Sequence, residues 1–138
     1  MRLWHKDLIE VLPREQLVSQ WRECSSIAGA IQKNGTPNHL LVNFVIDFDY
    51  DNFISYAYYI RQEMTRRGYR TMDSVWNKIV SLKPQWQLLP LDKVYEVKMD
   101  DIYFDICYYN LMEKAICGGF SYLQWEEIDK VKNERERM

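Results

Sequence analysis

The stretch REQLVSQWRECSSIAGAIQK, residues 14–33, decides the fold because apolar residues recur along it at helical spacing. Positions separated by i, i+4 and i+7 share one face of a helix, and here that face carries Leu17, Trp21, Cys24, Ala28 and Ile31. Pro13 predicts a helix with proline in its first turn, where the missing N–H costs little. The segment KNGTPN, residues 33–38, predicts where this helix ends.

Two charges, Arg22 and Glu23, stand inside this apolar helix. Arg22 lies about 100° round the helix from Trp21 and Glu23 about 200°, so the pair flanks the apolar face. An Arg beside a Glu on an amphipathic helix is usually solvated or forms a weak surface ion pair. By themselves, therefore, the two residues favour no particular chemistry.

Three further segments repeat the helical pattern. From Asp51 the apolar spacing runs to Met64 and Gly68 supplies the residue after the helix end, which makes this the clearest helix. A shorter helix is predicted before Pro84, and another over the face that runs from Phe104 to Ala115. LQWEEIDKVKNERERM predicts a last helix, HLLVNFVIDFDY (residues 39–50) an extended lead-in, and residues 83–99 a long connection. We therefore expect an all-α fold of four to five helices.

Length and composition limit the class of protein. The chain has 138 residues, enough for one hydrophobic core, so we expect one compact domain, 1–138, with a flexible end at about 132–138. No apolar run is long enough to span a bilayer and no signal peptide is recognisable, so we expect no membrane partner and a cytoplasmic location. Three cysteines without CxxC spacing predict buried, reduced thiols. Two distant histidines, His5 and His39, predict no metal site, and His5 is expected to be exposed or a helix cap.

Charge gives no global attraction to nucleic acid, since the net charge is −2. The densest basic segment is RQEMTRRGYR, residues 61–70, in which four arginines face one glutamate. A run of this kind is typical of a helix end, and it is also a candidate for phosphate binding. With cations nearer the amino terminus it predicts a local basic surface made of Arg2, Lys6, Arg14, Arg22, Arg61, Arg66, Arg67 and Arg70.

The opening MRLWHKDLIEVLPREQLVSQWREC, followed by GAIQK and later by EMTRRGY, resembles the pyrimidine-dimer DNA glycosylase family of the phage endonuclease V type. Roughly the first half of the chain carries the resemblance. It implies an endonuclease V type helical fold, double-stranded damaged DNA as the partner, and no cofactor. It also implies glycosylase activity on damaged pyrimidines with abasic-site lyase activity, in which an amino-terminal amine attacks the sugar C1′, expels the base and leaves a Schiff base.

The resemblance also implies roles for individual residues. Glu23 matches the family's carboxylate, which stabilises positive charge on the sugar or moves a proton. Arg22 matches an arginine suited to holding a phosphate. Lys33, Arg66, Arg67 and Arg70 are the further DNA-binding candidates. An α-amine suits nucleophilic attack because its unperturbed pKa, about 7.7 to 8.0, lies well below that of lysine.

The sequence departs from the family at three positions. Arg2 stands where the family enzyme has a small residue exposed by methionine removal, so the free amine here is expected to belong to Met1. Ser26 and Gln16 replace a second arginine and a histidine. An alternative reading follows: a catalytically inactive relative that serves as a nucleic-acid or protein-binding module.

Overall fold

The computed structural model describes residues 1–137, and over that range the chain is helical with no strands. Its five α-helices are α1 (Arg14–Asn34), α2 (Tyr50–Arg66), α3 (Asp73–Val80), α4 (Asp101–Ile116) and α5 (Tyr122–Glu136). Three short 3-10 helices lie at Lys6–Val11, Asn43–Asp47 and Leu91–Lys93. The predicted all-α fold is confirmed, while the assignment of the whole chain to one domain remains a prediction.

The apolar face predicted for α1 is confirmed. All five of its residues are buried, and the sequence places them there through helical spacing alone. Pro13 lies at the N-cap, one position before the first helical residue, and not in the first turn as predicted. The helix ends at Gly35, whose φ of 76° is a left-handed conformation that a side chain would strain.

Packing places α1 at the centre of the amino-terminal half. α1 contacts both α2 and α3, while α5 contacts both α4 and the first 3-10 helix. The core between them includes the fully buried rings of Phe53, Tyr56, Tyr95 and Phe104. The amino-terminal segment therefore runs between the α1–α2 pair and the carboxy-terminal helices.

The extended lead-in predicted for residues 39–50 is wrong. Residues 40–42 form a turn and Asn43–Asp47 a 3-10 helix. The buried side chains are Val42 and Val45, three residues apart, whereas Ile46 is 40 % exposed. A spacing of three fits a 3-10 turn, in which residues i and i+3 lie above one another, so the partial alternation of the sequence was misleading.

Helix ends elsewhere follow the sequence signals. Gly68 follows the C-cap of α2 with φ of 83°, as predicted. α4 is capped by Asp100, whose carboxylate accepts the Tyr103 N–H at 2.8 Å. α5 begins at a capping box formed by Ser121 and Gln124 and continues to Glu136. A flexible end at residues 132–138 remains a prediction, and Met138 of that range lies outside the described residues.

One smaller prediction needs correction, and another is resolved between its two alternatives. Cys24 and Cys107 are buried as expected, but Cys117 is exposed because it lies just beyond the end of α4. Of the two alternatives for His5, the helix cap is confirmed, since its Nδ1 accepts the Asp7 N–H at 3.0 Å and the side chain is only 1 % exposed. Within residues 1–137, no helix has both the length and the apolar character needed to cross a membrane.

Candidate active site

The buried side chain of Gln20, on α1, holds the amino-terminal segment in place. Its Oε1 accepts the Trp4 N–H at 2.7 Å, and its Nε2 donates to the Arg2 carbonyl at 2.9 Å. The Tyr56 hydroxyl of α2 lies 2.6 Å from the Trp4 carbonyl and 2.8 Å from the same Gln20 oxygen. Because buried polar groups are costly unless they are paired, this network fixes the backbone of residues 2–4 against α1 and α2.

Residues beyond position 90 hold the other side of the segment. The Tyr103 hydroxyl donates to the Leu3 carbonyl. The His5 Nε2 lies 2.7 Å from the Met99 carbonyl, and burial lowers the pKa of His5 to about 4, so the ring is neutral at pH 7. Lys6 donates to the backbone carbonyls of positions 92 and 94, at 2.9 and 2.6 Å. The chain is thus held on both sides up to its second residue, and only Met1 projects, 43 % exposed.

Glu23 faces this held segment. Its half-buried carboxylate accepts a hydrogen bond from Gln20 Nε2 at 2.9 Å. The Arg2 backbone N–H and the charge of the amino terminus also act on it. Among residues 1–137 no Lys or Arg side chain forms an ion pair with Glu23, so its strongest polar partners belong to Gln20 and the amino-terminal segment.

The pKa of Glu23 is raised above its usual value. Burial is the main cause, and it is opposed by the positive amino terminus, the Arg2 N–H, the Gln20 amide and the charge of His39. A carboxyl group with a raised pKa is better matched to proton transfer near neutral pH. Glu23 therefore combines a raised pKa with a position against the amino-terminal segment.

Three residues of this arrangement, Gln20, Tyr56 and Tyr103, are absent from the sequence-derived site, and so is the nearby His39. Gln20 carried one usable signal, since it lies three residues before Glu23 and therefore on the same side of α1. The two tyrosines gave no signal, because only the tertiary fold brings α2 and α4 to the amino terminus.

Arg22 diverges from Glu23. Its exposed side chain lines a cleft of about 420 Å³ together with Arg14, Glu15, Val18 and Ser19. Arg22 forms no ion pair or side-chain hydrogen bond with any of residues 1–137. The Arg2 guanidinium instead lies over the Trp4 ring, 5.7 Å from its centroid. The two neighbouring charges of the sequence thus serve different surfaces of α1.

The predicted basic segment is largely occupied by internal contacts. Glu63 is 5 % exposed, and its carboxylate accepts hydrogen bonds from Arg66 and Arg67. Arg67 also donates to the carbonyls of Leu12 and Glu10, at 2.8 and 2.9 Å, and so joins α2 to the chain before α1. This geometry makes Arg67 a structural residue, and DNA binding by Arg66 and Arg67 stays a prediction.

Other predicted cations have mixed positions. Lys6 is 6 % exposed and is engaged with backbone carbonyls, and Arg61 pairs with Asp73. Lys33 and Arg70 are exposed and have no ion pair within residues 1–137. Of the predicted basic surface, Lys6, Arg61 and Arg67 are therefore used inside the protein.

No cluster of three or more potential metal ligands occurs in the described part of the chain. The chemistry available from the residues present is that of an amine, carboxylates, amides and phenolic hydroxyls. Of these, the Glu23 carboxylate is half-buried and lies within the electrostatic influence of the positive amino terminus.

Comparison with known families supplies the remaining evidence. A sequence model of the pyrimidine dimer DNA glycosylases matches residues 1–77, which is more than half of the chain. The matched part contains α1, α2 and the start of α3, and therefore both Arg22 and Glu23. Neither the curated proteins nor the solved structures gave a significant match. On the extent of the family match, the chain belongs to the pyrimidine dimer DNA glycosylase family.

Proposed function

We propose that this protein is a DNA repair glycosylase that acts on damaged pyrimidines in duplex DNA and also cleaves at abasic sites. The family supports the glycosylase class. One observation carries the mechanism: a half-buried carboxylate, Glu23, faces an amino terminus whose second to sixth residues are held by the fold. The Met1 amine is the nucleophile in this proposal.

The reaction conserves atoms and charge as follows. The neutral amine donates its lone pair to the sugar C1′, and the bond from C1′ to the base breaks with its electron pair leaving on the base, which takes up a proton. Loss of a proton from nitrogen and opening of the sugar ring then give the Schiff base. Removal of the C2′ proton breaks the C3′–O bond and cleaves the strand. A fixed carboxylate stabilises the developing positive charge and can accept or donate the transferred protons.

The positions of Gln20 and Arg2 support this assignment of Glu23. Gln20 uses one amide nitrogen to hold both the Arg2 carbonyl and the Glu23 carboxylate, at 2.9 Å each. Displacement of the Arg2 backbone, to which Met1 is attached, relative to the carboxylate therefore requires breaking hydrogen bonds at a buried side chain. Fixed geometry of this kind reduces the entropic cost of reaching the reactive arrangement.

Arg2 is compatible with an amine at Met1. Its backbone lies inside the network, while its guanidinium lies over the Trp4 ring and forms no ion pair with Glu23 among residues 1–137. A retained methionine adds one residue before the held segment, and its exposure leaves the amine free to approach a sugar. Arg22, on the adjacent side of α1, would bind a phosphate of the same DNA.

The test is borohydride trapping on duplex DNA that contains an abasic site, and then on ultraviolet-damaged duplex. The protein carries its native amino terminus, confirmed by intact mass. We expect a covalent adduct that maps to Met1, because hydride reduces the Schiff base to a stable amine. Protein acetylated at its amino terminus is the matched control and should give no adduct.

Two outcomes contradict the proposal. An adduct that persists after acetylation would move the nucleophile to another residue. No adduct and no base release from folded protein with a free terminus would remove the covalent step, and would favour the alternative, a catalytically inactive relative that binds nucleic acid or protein.

A further inference from the structure

The exposed side of α1 carries a row of cations that continues past Arg22 in both directions. Arg22, Ser26, Gly29 and Lys33 are spaced by four, three and four residues, so they share one face of the helix. Arg14 lines the same cleft as Arg22 and lies at the amino-terminal end of the row. The face therefore presents positive charge near both ends and small residues between them.

Lys78 fills the gap between these charges. It belongs to α3, and its ammonium lies 3.6 Å from the position that a Cβ would occupy at Gly29. Gln32 fixes α3 in this place by donating to the Lys78 carbonyl at 3.2 Å and to the Ser81 hydroxyl. The small residue at position 29 thus leaves room for a cation that the α1 sequence itself does not supply.

The cations of this row are free of acidic partners. Within residues 1–137, Arg14, Arg22, Lys33 and Lys78 form no ion pair, and the Arg14 guanidinium lies 5.3 Å from the centroid of the Tyr69 ring. One carboxylate, that of Glu15, lies in the Arg14–Arg22 cleft and forms no ion pair there. Arginines with an open donor face bind phosphate oxygens through paired hydrogen bonds, which is the contact that a free guanidinium offers.

We infer that Arg14, Arg22, Lys78 and Lys33 form one phosphate-binding row for duplex DNA, in which Lys78 is the member that the sequence alone did not indicate. Between positions 14 and 33 the helix axis rises by about 28 Å, while duplex DNA advances about 3.4 Å per base pair. The row is thus long enough to follow about eight base pairs. The inference rests on the proposed function, since it names the DNA contact beside the Glu23 site.

The geometry favours this row over the Arg66–Arg67 segment. Glu63 neutralises both of those arginines, and Arg67 is further committed to two backbone carbonyls. A paired guanidinium must lose its carboxylate before it can bind phosphate, whereas the α1 cations need lose only water.

The experiment measures binding of undamaged duplex DNA as a function of salt for Arg14→Gln, Lys78→Gln and the double variant. Each single change should lower the slope of log K against log salt by about 0.9, and the double change by about twice that. Glu15→Gln should tighten binding, an effect of opposite sign on the same cleft. Lys130→Gln, an exposed lysine paired with Glu127 on α5, is the matched control and should leave the slope unchanged.

Unchanged slopes for Arg14→Gln and Lys78→Gln would overturn the row, and so would an equal change in Lys130→Gln. Trapping at an abasic site is measured on the same proteins as a separate readout. If wild-type protein is trapped but these slopes do not change, the row fails while the proposed function stands. If wild-type protein neither binds nor is trapped, both fail.

Discussion

Two Arg–Glu groups in this protein use the same side chains in opposite ways. At the end of α2, Glu63 is 5 % exposed and accepts hydrogen bonds from Arg66 and Arg67. On α1, Glu23 has no cationic side chain as a partner in the described range, and its neighbour Arg22 points into a separate cleft. One group joins helices together, and the other leaves a carboxylate and a guanidinium available to a ligand.

The pKa values follow from this difference in partners. For Glu63, burial acts to raise the pKa, but the hydrogen bonds and charges of Arg66 and Arg67 outweigh it and the net pKa is lowered. For Glu23, burial dominates and the pKa is raised. A carboxylate stabilised in its charged form supports the fold, whereas one held at a cost in the charged form is suited to proton transfer.

The largest effect is expected from Glu23→Gln. Loss of the carboxylate should reduce strand cleavage at an abasic site by about 10²- to 10⁴-fold, the usual contribution of a positioned acid–base group. Single-turnover cleavage with saturating protein measures this effect. Because a raised folded pKa means that ionisation of Glu23 costs stability above its unfolded pKa, the variant should unfold at the same urea concentration at pH 7 or at a higher one. If Glu23→Gln strongly lowered the urea midpoint, Glu23 would be a residue that stabilises the fold, as Glu63 does.

The second test changes Gln20, the side chain that connects Glu23 to the amino terminus. Gln20→Leu leaves the Trp4 N–H and the Arg2 carbonyl without their partner, so we expect unfolding to become easier by about 1 to 3 kcal/mol. Strand cleavage should also fall, because the Arg2 backbone that carries Met1 is no longer held beside the Glu23 carboxylate. Urea unfolding and single-turnover cleavage measure the two effects.

Gln16→Leu is the matched control for Gln20→Leu. Gln16 lies one turn earlier on α1, and its Oε1 is buried without a hydrogen-bond partner in the described chain. Its replacement should therefore cost little stability. If both leucine variants lose stability and cleavage equally, the network at Gln20 has no special role in positioning the amine.

The third test concerns Glu63. Glu63→Gln removes the charge that holds Arg66 and Arg67, and hydrogen bonds to charged groups contribute about 1.5 to 3 kcal/mol. The folded pKa of Glu63 is lowered from about 4.5, so its contribution is present above the unfolded pKa and is lost as pH falls through the folded pKa. The difference between the urea midpoints of wild type and variant should be largest at pH 7. It should shrink as the pH falls below about 4.5. A constant difference would mean that the ion pairs are not its source.

Periodicity predicted much of the fold, because burial of an apolar face follows directly from spacing along a helix. The faces of α1 and α4, and the glycine after α2, could be assigned in this way. Residues 39–50 could not, since a 3-10 turn and a short strand give similar apolar spacing over so few residues. Local pattern is informative where an element is long.

The site was only partly accessible from the sequence. Glu23 and Arg22 were found through resemblance to the family, but Gln20, Tyr56 and Tyr103 act across separations of 16 to 100 residues. Side-chain charge alone could not separate Arg67, which is bound inside the fold, from Lys78, which lies beside α1. Long-range contacts decide which cation is free, and no spacing rule encodes them.

The smallest effect is expected from Arg66→Gln, which tests whether an exposed arginine that is paired with Glu63 also binds DNA. Arg66 is exposed, and an arginine at a helix end is often a phosphate contact, yet its guanidinium is already paired with Glu63. We expect the salt dependence of duplex binding to stay within error of wild type, measured beside Arg22→Gln, whose slope should fall by about 0.9. A fall of that size for Arg66→Gln would mean that DNA displaces Glu63 and that the end of α2 belongs to the DNA surface. An unchanged slope would mean that Arg66, which has a fixed carboxylate partner, contributes to the fold and not to binding, whereas the unpaired Arg22 of α1 contributes to binding.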